Sequence, residues 1–122
     1  MEDTASRVLA RNVAEFIDEH KGIDTVALYI GDKSSFTDCF VISTANSEGH
    51  LKGLYTNILD MLKEKNIDLL HRKKNMDDSG WVLIDCGGVI IHLMTPEKRS
   101  FYDLERLWFE GETFYHSSSK SS

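Results

Sequence analysis

Trp81-Val82-Leu83-Ile84-Asp85-Cys86-Gly87-Gly88-Val89-Ile90-Ile91-His92-Leu93-Met94 is the stretch on which the fold turns. Two runs rich in β-branched and large apolar residues flank a Gly-Gly pair, the residues that a tight hairpin turn needs for its positive φ angles. With Gly87 and Gly88 as the turn, the register follows: Cys86 faces Val89, Asp85 faces Ile90, Ile84 faces Ile91, Leu83 faces His92, Val82 faces Leu93 and Trp81 faces Met94. Cross-strand partners share a face. One face is then Val82, Ile84, Cys86, Val89, Ile91 and Leu93, wholly apolar and destined for the core. The other is Trp81, Leu83, Asp85, Ile90, His92 and Met94. That mixed face has two readings. One is a second, partly covered core layer under a helix; the other is an aromatic anchor ringed by polar groups, the anatomy of a protein-binding hot spot.

Working back from the hairpin, Asp68 to His71 reads as a short edge strand, and Arg72-Lys73-Lys74 leads into a polar loop. Leu51, Leu54, Tyr55, Ile58, Leu59 and Leu62 form an amphipathic helical stripe, with Ser47 as its cap and Asn66 at its end. Thr25 to Ile30 and Phe36 to Ser43 read as an antiparallel pair about the turn 31–35. Thr4 to His20 is helical, with Leu9, Val13, Phe16 and Ile17 at spacings of three and four and Gly22 as terminator. Beyond the hairpin, Pro96 suits the first position of a helix capped by Thr95, which carries Phe101, Leu104, Leu107 and Trp108. The sum is an α/β (α+β) fold: one domain over residues 1–115, a mixed sheet of four or five strands packed by about three helices. The Ser-rich tail, 116–122, is expected to be disordered.

The chain has 122 residues with a net charge of −6. An acidic surface argues against affinity gained by wrapping nucleic acid and suits a basic partner. No apolar run approaches the ~20 residues of a membrane span. The acidic start lacks the basic and apolar segments of a signal peptide, so a cytoplasmic location is expected. Cys39 and Cys86 lie within strand-like runs and are expected to be reduced, buried thiols. No metal and no cofactor is implied by the Cys and His spacing.

Asp32, Asp38 and Asp85 are the candidate carboxylates. A metal-dependent nucleotidyltransferase needs two acids one residue apart on a strand, so that both carboxylates reach one Mg²⁺. Phe40 stands where the second acid would follow Asp38. His92 has no nucleophile signature near it, and the glycines form no phosphate-binding loop. No catalytic set survives.

Three segments together carry a resemblance. They are Lys33-Ser34-Ser35-Phe36-Thr37-Asp38-Cys39-Phe40-Val41-Ile42 followed by Thr44-Ala45-Asn46-Ser47, the Trp81 to Met94 hairpin, and Arg99-Ser100-Phe101-Tyr102-Asp103-Leu104-Glu105-Arg106-Leu107-Trp108. In this order they resemble the ribosomal silencing factor, or Iojap-like, family from about Ala5 to Trp108. The resemblance implies a nucleotidyltransferase-like fold without catalytic carboxylates. It also implies binding to the fourteenth protein of the large ribosomal subunit, so that the small subunit cannot join and translation falls when nutrients are short. It suggests a homodimer off the ribosome. The partner-binding residues expected on this reading are Trp81, Leu83, Asp85, His92, Met94, Tyr102 and Glu105. Arg72, Lys73 and Lys74, basic where the family has a Glu-Gly pair, are placed to touch ribosomal RNA. The alternatives are a large-subunit assembly factor acting at the same site, and a divalent-metal-dependent nucleotidyltransferase.

Overall fold

The structure, a computed structural model, describes residues 5–31, 38–67, 80–102 and 112–116. The first helix, α1, spans Ala5–Glu19 and buries Ala10, Val13, Ala14 and Ile17. Its end is a Schellman motif: the Gly22 N–H donates to the Ile17 carbonyl (2.9 Å) and the Lys21 N–H to Asp18 (3.1 Å). The left-handed position is Lys21, at φ 74°, not Gly22. Gly22 is required for space instead, because a Cβ there would stand 2.3 Å from Ile17 Cγ2 and 2.6 Å from Ser43 Oγ.

The strands β1 (Ile23–Tyr29) and β2 (Cys39–Thr44) pair antiparallel, as the sequence reading has them. Helix α2, Glu48–Glu64, starts on Ser47, whose hydroxyl accepts the His50 N–H, and ends in a second Schellman motif with Asn66 left-handed at φ 60°. Its buried residues are Leu51, Leu54, Ile58 and Leu62, the inner part of the predicted stripe. The hairpin of β3 (Trp81–Asp85) and β4 (Val89–Met94) has the predicted register at every pair, with Gly87 at φ 91° in the turn. Helix α3 is Pro96–Tyr102. Leu104, Leu107, Trp108 and the predicted edge strand at Asp68 to His71 lie outside the described residues.

The two hairpins join through a parallel pairing of β2 with β4, and the sheet order is β3-β4-β2-β1-β5. The fifth strand, β5, is Glu112–His116, antiparallel to β1. It takes in His116, which the sequence reading assigns to the tail. Side chains add to that backbone pairing in holding it in place. Arg7 pairs with Glu112 at 2.9 Å and lies over the rings of Tyr29 and Phe114, Arg11 reaches the Phe114 carbonyl at 3.5 Å, and the Tyr115 hydroxyl donates to the Asp18 carboxylate.

Helices α1 and α2 cover one face of the sheet. There Val82, Ile84, Val89, Ile91 and Leu93 pack with Val41, Ile17, Leu54 and Ile58 in a single cluster. Burying each large aliphatic of this kind contributes about 1.5–3 kcal/mol. The opposite face forms a second buried cluster of Val26, Leu28, Ile30, Phe40, Ile42, Ile90 and Met94, with Trp81 packed against it. The fold is thus one α+β domain, with a five-stranded mixed sheet and three helices among the described residues.

Candidate functional site

The mixed face of the β3–β4 hairpin is divided between core and surface. Its β4 half is core: Met94 is fully buried, and Ile90 and His92 nearly so. Its β3 half reaches the surface. Leu83 is 39% exposed, one of the few large apolar side chains that stand out among the described residues, and Trp81 and Asp85 are half-buried on either side of it. The division follows from position, since β4 lies between β3 and β2 and, among the described residues, β3 is the outermost strand. Met94 and His92, expected as contact residues, therefore lie beneath the accessible surface and shape it from below.

His92 holds that surface together. The Trp81 indole N–H donates to His92 Nδ1 at 3.3 Å, reaching diagonally across the hairpin. Phe40 stands edge-on to the same imidazole, with ring centroids 4.8 Å apart. An Nδ1 that accepts leaves the proton of a neutral ring on Nε2, and that buried atom has no hydrogen-bond partner among the described residues. Burial pushes the His92 pKa down from 6.5 to about 4, so the ring is uncharged at neutral pH. Asp85 is fixed differently: one carboxylate oxygen accepts the Gly87 N–H at 2.9 Å, which ties it to the hairpin turn.

Tyr102 closes α3, and the placement of that helix is set by Arg99. The Arg99 guanidinium donates to the Asp24 carbonyl (2.8 Å) and to Thr44 Oγ1 (2.9 Å), bridging the irregular start of β1 to the end of β2. This role was not foreseen from the sequence. Glu105 and the basic run Arg72, Lys73 and Lys74 lie outside the described residues.

The place where a nucleotidyltransferase would carry its metal is arranged as structure. Asp38 Oδ2 accepts the Ser6 hydroxyl at 3.0 Å, which joins α1 to the start of β2. The turn closes tightly over it, because a Cβ on Gly88 would stand 2.2 Å from Ser6 Oγ. Phe40, in the position of the second acid, packs into the second core cluster. Among the described residues no group of three His, Cys, Asp or Glu side chains could hold a metal. Burial, with Asp38 and Asp85 respectively adding repulsion, raises the Cys39 and Cys86 pKa values to about 11, so both remain thiols rather than nucleophilic thiolates. No described helix is long and apolar enough to cross a membrane.

Against known proteins, residues 2–121 match the family described as "Ribosomal silencing factor during starvation". A relative from Zymomonas mobilis, named ribosomal silencing factor RsfS, is 30% identical over 105 residues, covering 86% of this chain and 78% of its own. A mouse relative named mitochondrial assembly of ribosomal large subunit protein 1 is 32% identical over 87 residues, covering 70% of this chain and 38% of its own. Among solved structures, a Chromobacterium violaceum protein superposes with a TM-score of 0.74 at 29% identity, covering 96% of this chain and 93% of that one.

Proposed function

The chain belongs to the ribosomal silencing factor family, and on that premise we propose that it binds the large ribosomal subunit through the β3 surface and keeps the small subunit from joining. Translation then falls when nutrients are short. The observation that carries this reading is the grouping of Trp81, Leu83 and Asp85 on one face of β3, an apolar anchor beside an acid. Such an anchor gains by desolvation at the centre of an interface, while the acid selects a basic neighbour. The fourteenth protein of the large subunit is the proposed partner, and the net charge of −6 favours its approach if it is basic. Tyr102 and Glu105 are proposed as further partner contacts, and Arg72, Lys73 and Lys74 as a minor contact to ribosomal RNA.

The protein works in the cytoplasm by occupancy and transfers no nucleotide. The engagement of Asp38 by Ser6 and the apolar packing of Phe40 support that part of the reading. Co-sedimentation with purified large subunits, small subunits and intact ribosomes tests it. Binding is expected to free large subunits only, together with loss of subunit joining in a light-scattering assay. Binding to intact ribosomes without dissociation overturns the silencing mechanism.

A second reading, large-subunit assembly at the same site, is favoured by the name of the mouse relative. It differs in its outcome on depletion. Assembly predicts accumulation of immature large subunits, whereas silencing predicts mature subunits that join too readily in starved cells.

A further inference from the structure

Phe40, His92 and Trp81 form a line of rings across three neighbouring strands, β2, β4 and β3, running from the second core cluster toward the surface. His92 is the middle member. Its backbone pairs with Ile42 on one side and with Leu83 on the other. The Phe40 ring meets its imidazole edge-on, at an interplanar angle of 85°. Packing of this density leaves a buried ring little rotational freedom. Trp81 is the outer member. It is half-buried, its ring is tilted 44° to the imidazole with centroids 5.9 Å apart, and its indole N–H donates to His92 Nδ1.

That hydrogen bond runs diagonally. Trp81 faces Met94 in the register, yet its indole reaches past this partner to His92, which faces Leu83. Diagonal neighbours on one face of an antiparallel pair lie within reach of a large aromatic side chain. The indole is thereby drawn along β3 toward Leu83, so that the two apolar members of the proposed contact surface stand together. A tryptophan without such a tether has staggered χ1 alternatives that carry its ring away from its neighbours. The tether needs an uncharged acceptor nitrogen. Burial, which pulls the His92 pKa down to about 4, supplies one at neutral pH.

We propose that His92 is a positioning residue for docking: through Nδ1 it fixes the Trp81 indole in the orientation that meets the large ribosomal subunit. This inference rests on the reading that the chain docks through Trp81, Leu83 and Asp85, and it adds the residue that prepares the anchor from beneath. A side chain ordered before binding spares the cost of ordering it at the interface, roughly twofold to tenfold in affinity for one such side chain. A bond that served stability alone would behave differently. Among variants that remain folded, it would move the melting temperature and leave affinity unchanged.

The test measures the affinity of the full chain and its variants for purified large subunits, at a temperature where melting curves show each to be folded. His92→Leu removes the acceptor with little change in volume. His92→Asn sets an amide oxygen about where Nδ1 stands. Trp81→Phe keeps a ring but no donor. His92→Leu is expected to weaken binding by about fivefold to tenfold, and His92→Asn to stay within about twofold of the wild type. In the Trp81→Phe background, His92→Leu should cost less than about twofold, because the bond it removes is already absent. A lowered melting temperature with unchanged affinity overturns the proposal. So does a His92→Leu loss as large in Trp81→Phe as in the wild type, or a His92→Asn variant as weak as His92→Leu. Trp81→Ala separates this inference from the reading beneath it. Unchanged affinity in Trp81→Ala removes the docking reading and this inference with it. A loss of about 30-fold there, without coupling between His92 and Trp81, overturns positioning alone. If His92→Leu does not fold, the other two variants decide. Trp81→Phe weaker by about fivefold with His92→Asn near the wild type is the expected result, and Trp81→Phe binding as tightly as the wild type overturns the proposal.

Discussion

Acidification should weaken this fold through one side chain. His92 is nearly buried between Trp81, Leu83 and Phe40, with Nδ1 accepting from the Trp81 indole, and its pKa falls from 6.5 to about 4. A proton added at Nδ1 would face the indole N–H that now donates to it, inside an apolar layer. Because the folded pKa lies below the unfolded one, the unfolded chain binds more protons throughout that interval. The contribution to stability is then fully present above about pH 6.5, is lost as the pH falls, and has no further to fall below about pH 4. The difference between the two titrations amounts to about 2 kcal/mol at pH 5 and about 3 kcal/mol at pH 4. Carboxylates titrate in the same range, so the measurement is a difference. Urea unfolding free energies of the wild type and of His92→Gln, which does not titrate, are compared from about pH 7.5 down to about pH 5. The wild type should lose about 2 kcal/mol more than the variant over that span. Parallel curves, or an NMR titration of the His92 ring with a midpoint near its ordinary value, would refute the reasoning.

Other expectations are smaller in scope. Trp81→Ala should lower the melting temperature by less than ~10 °C, because the indole is only half-buried, yet weaken large-subunit binding by about 30-fold. Gly22→Ala should cost about 1–3 kcal/mol in chemical denaturation, since its Cβ would overlap Ile17 and Ser43. Lys21→Gly should stabilise by roughly 1 kcal/mol, by relieving a left-handed backbone at φ 74°. Ser6→Ala should cost about 1 kcal/mol and generate no nucleotidyl transfer with Mg²⁺, because freeing Asp38 does not supply a second carboxylate.

Much of this architecture could be read directly, for local reasons. The Gly87-Gly88 pair sets the hairpin register, and a register shifted by one residue would have turned the whole apolar face outward. Ser47 and Asn66 mark the ends of α2 by chemistry that acts within a turn of the chain. What escaped is non-local. Glu112–His116 alternates only weakly and depends on Arg7, Arg11 and Asp18, about a hundred residues away, to become a strand. The parallel joining of β2 to β4 is likewise a tertiary outcome that neither hairpin announces. The candidate site was half legible. Face membership followed from alternation, but the burial of Met94 and His92 depends on which strand lies inside the sheet, and pairing order is not encoded locally. Arg99 stands in a recognisable motif, but its role needed the β1 irregularity to be seen.

The clamp between α1 and β5 has a consequence for the order of events during synthesis. Arg7 and Glu112 are 105 positions apart, so the helix emerges from the ribosome long before the strand it secures. At roughly 5–20 residues per second, the outer side of β1 waits several seconds for its neighbour. Both hairpins can form in that interval, being local, and the parallel seam between them can close once the second has been made. The flank of the nascent sheet along β1 is the last to be sealed, which makes it the segment for which a chaperone, or a neighbouring nascent chain, has the longest opportunity.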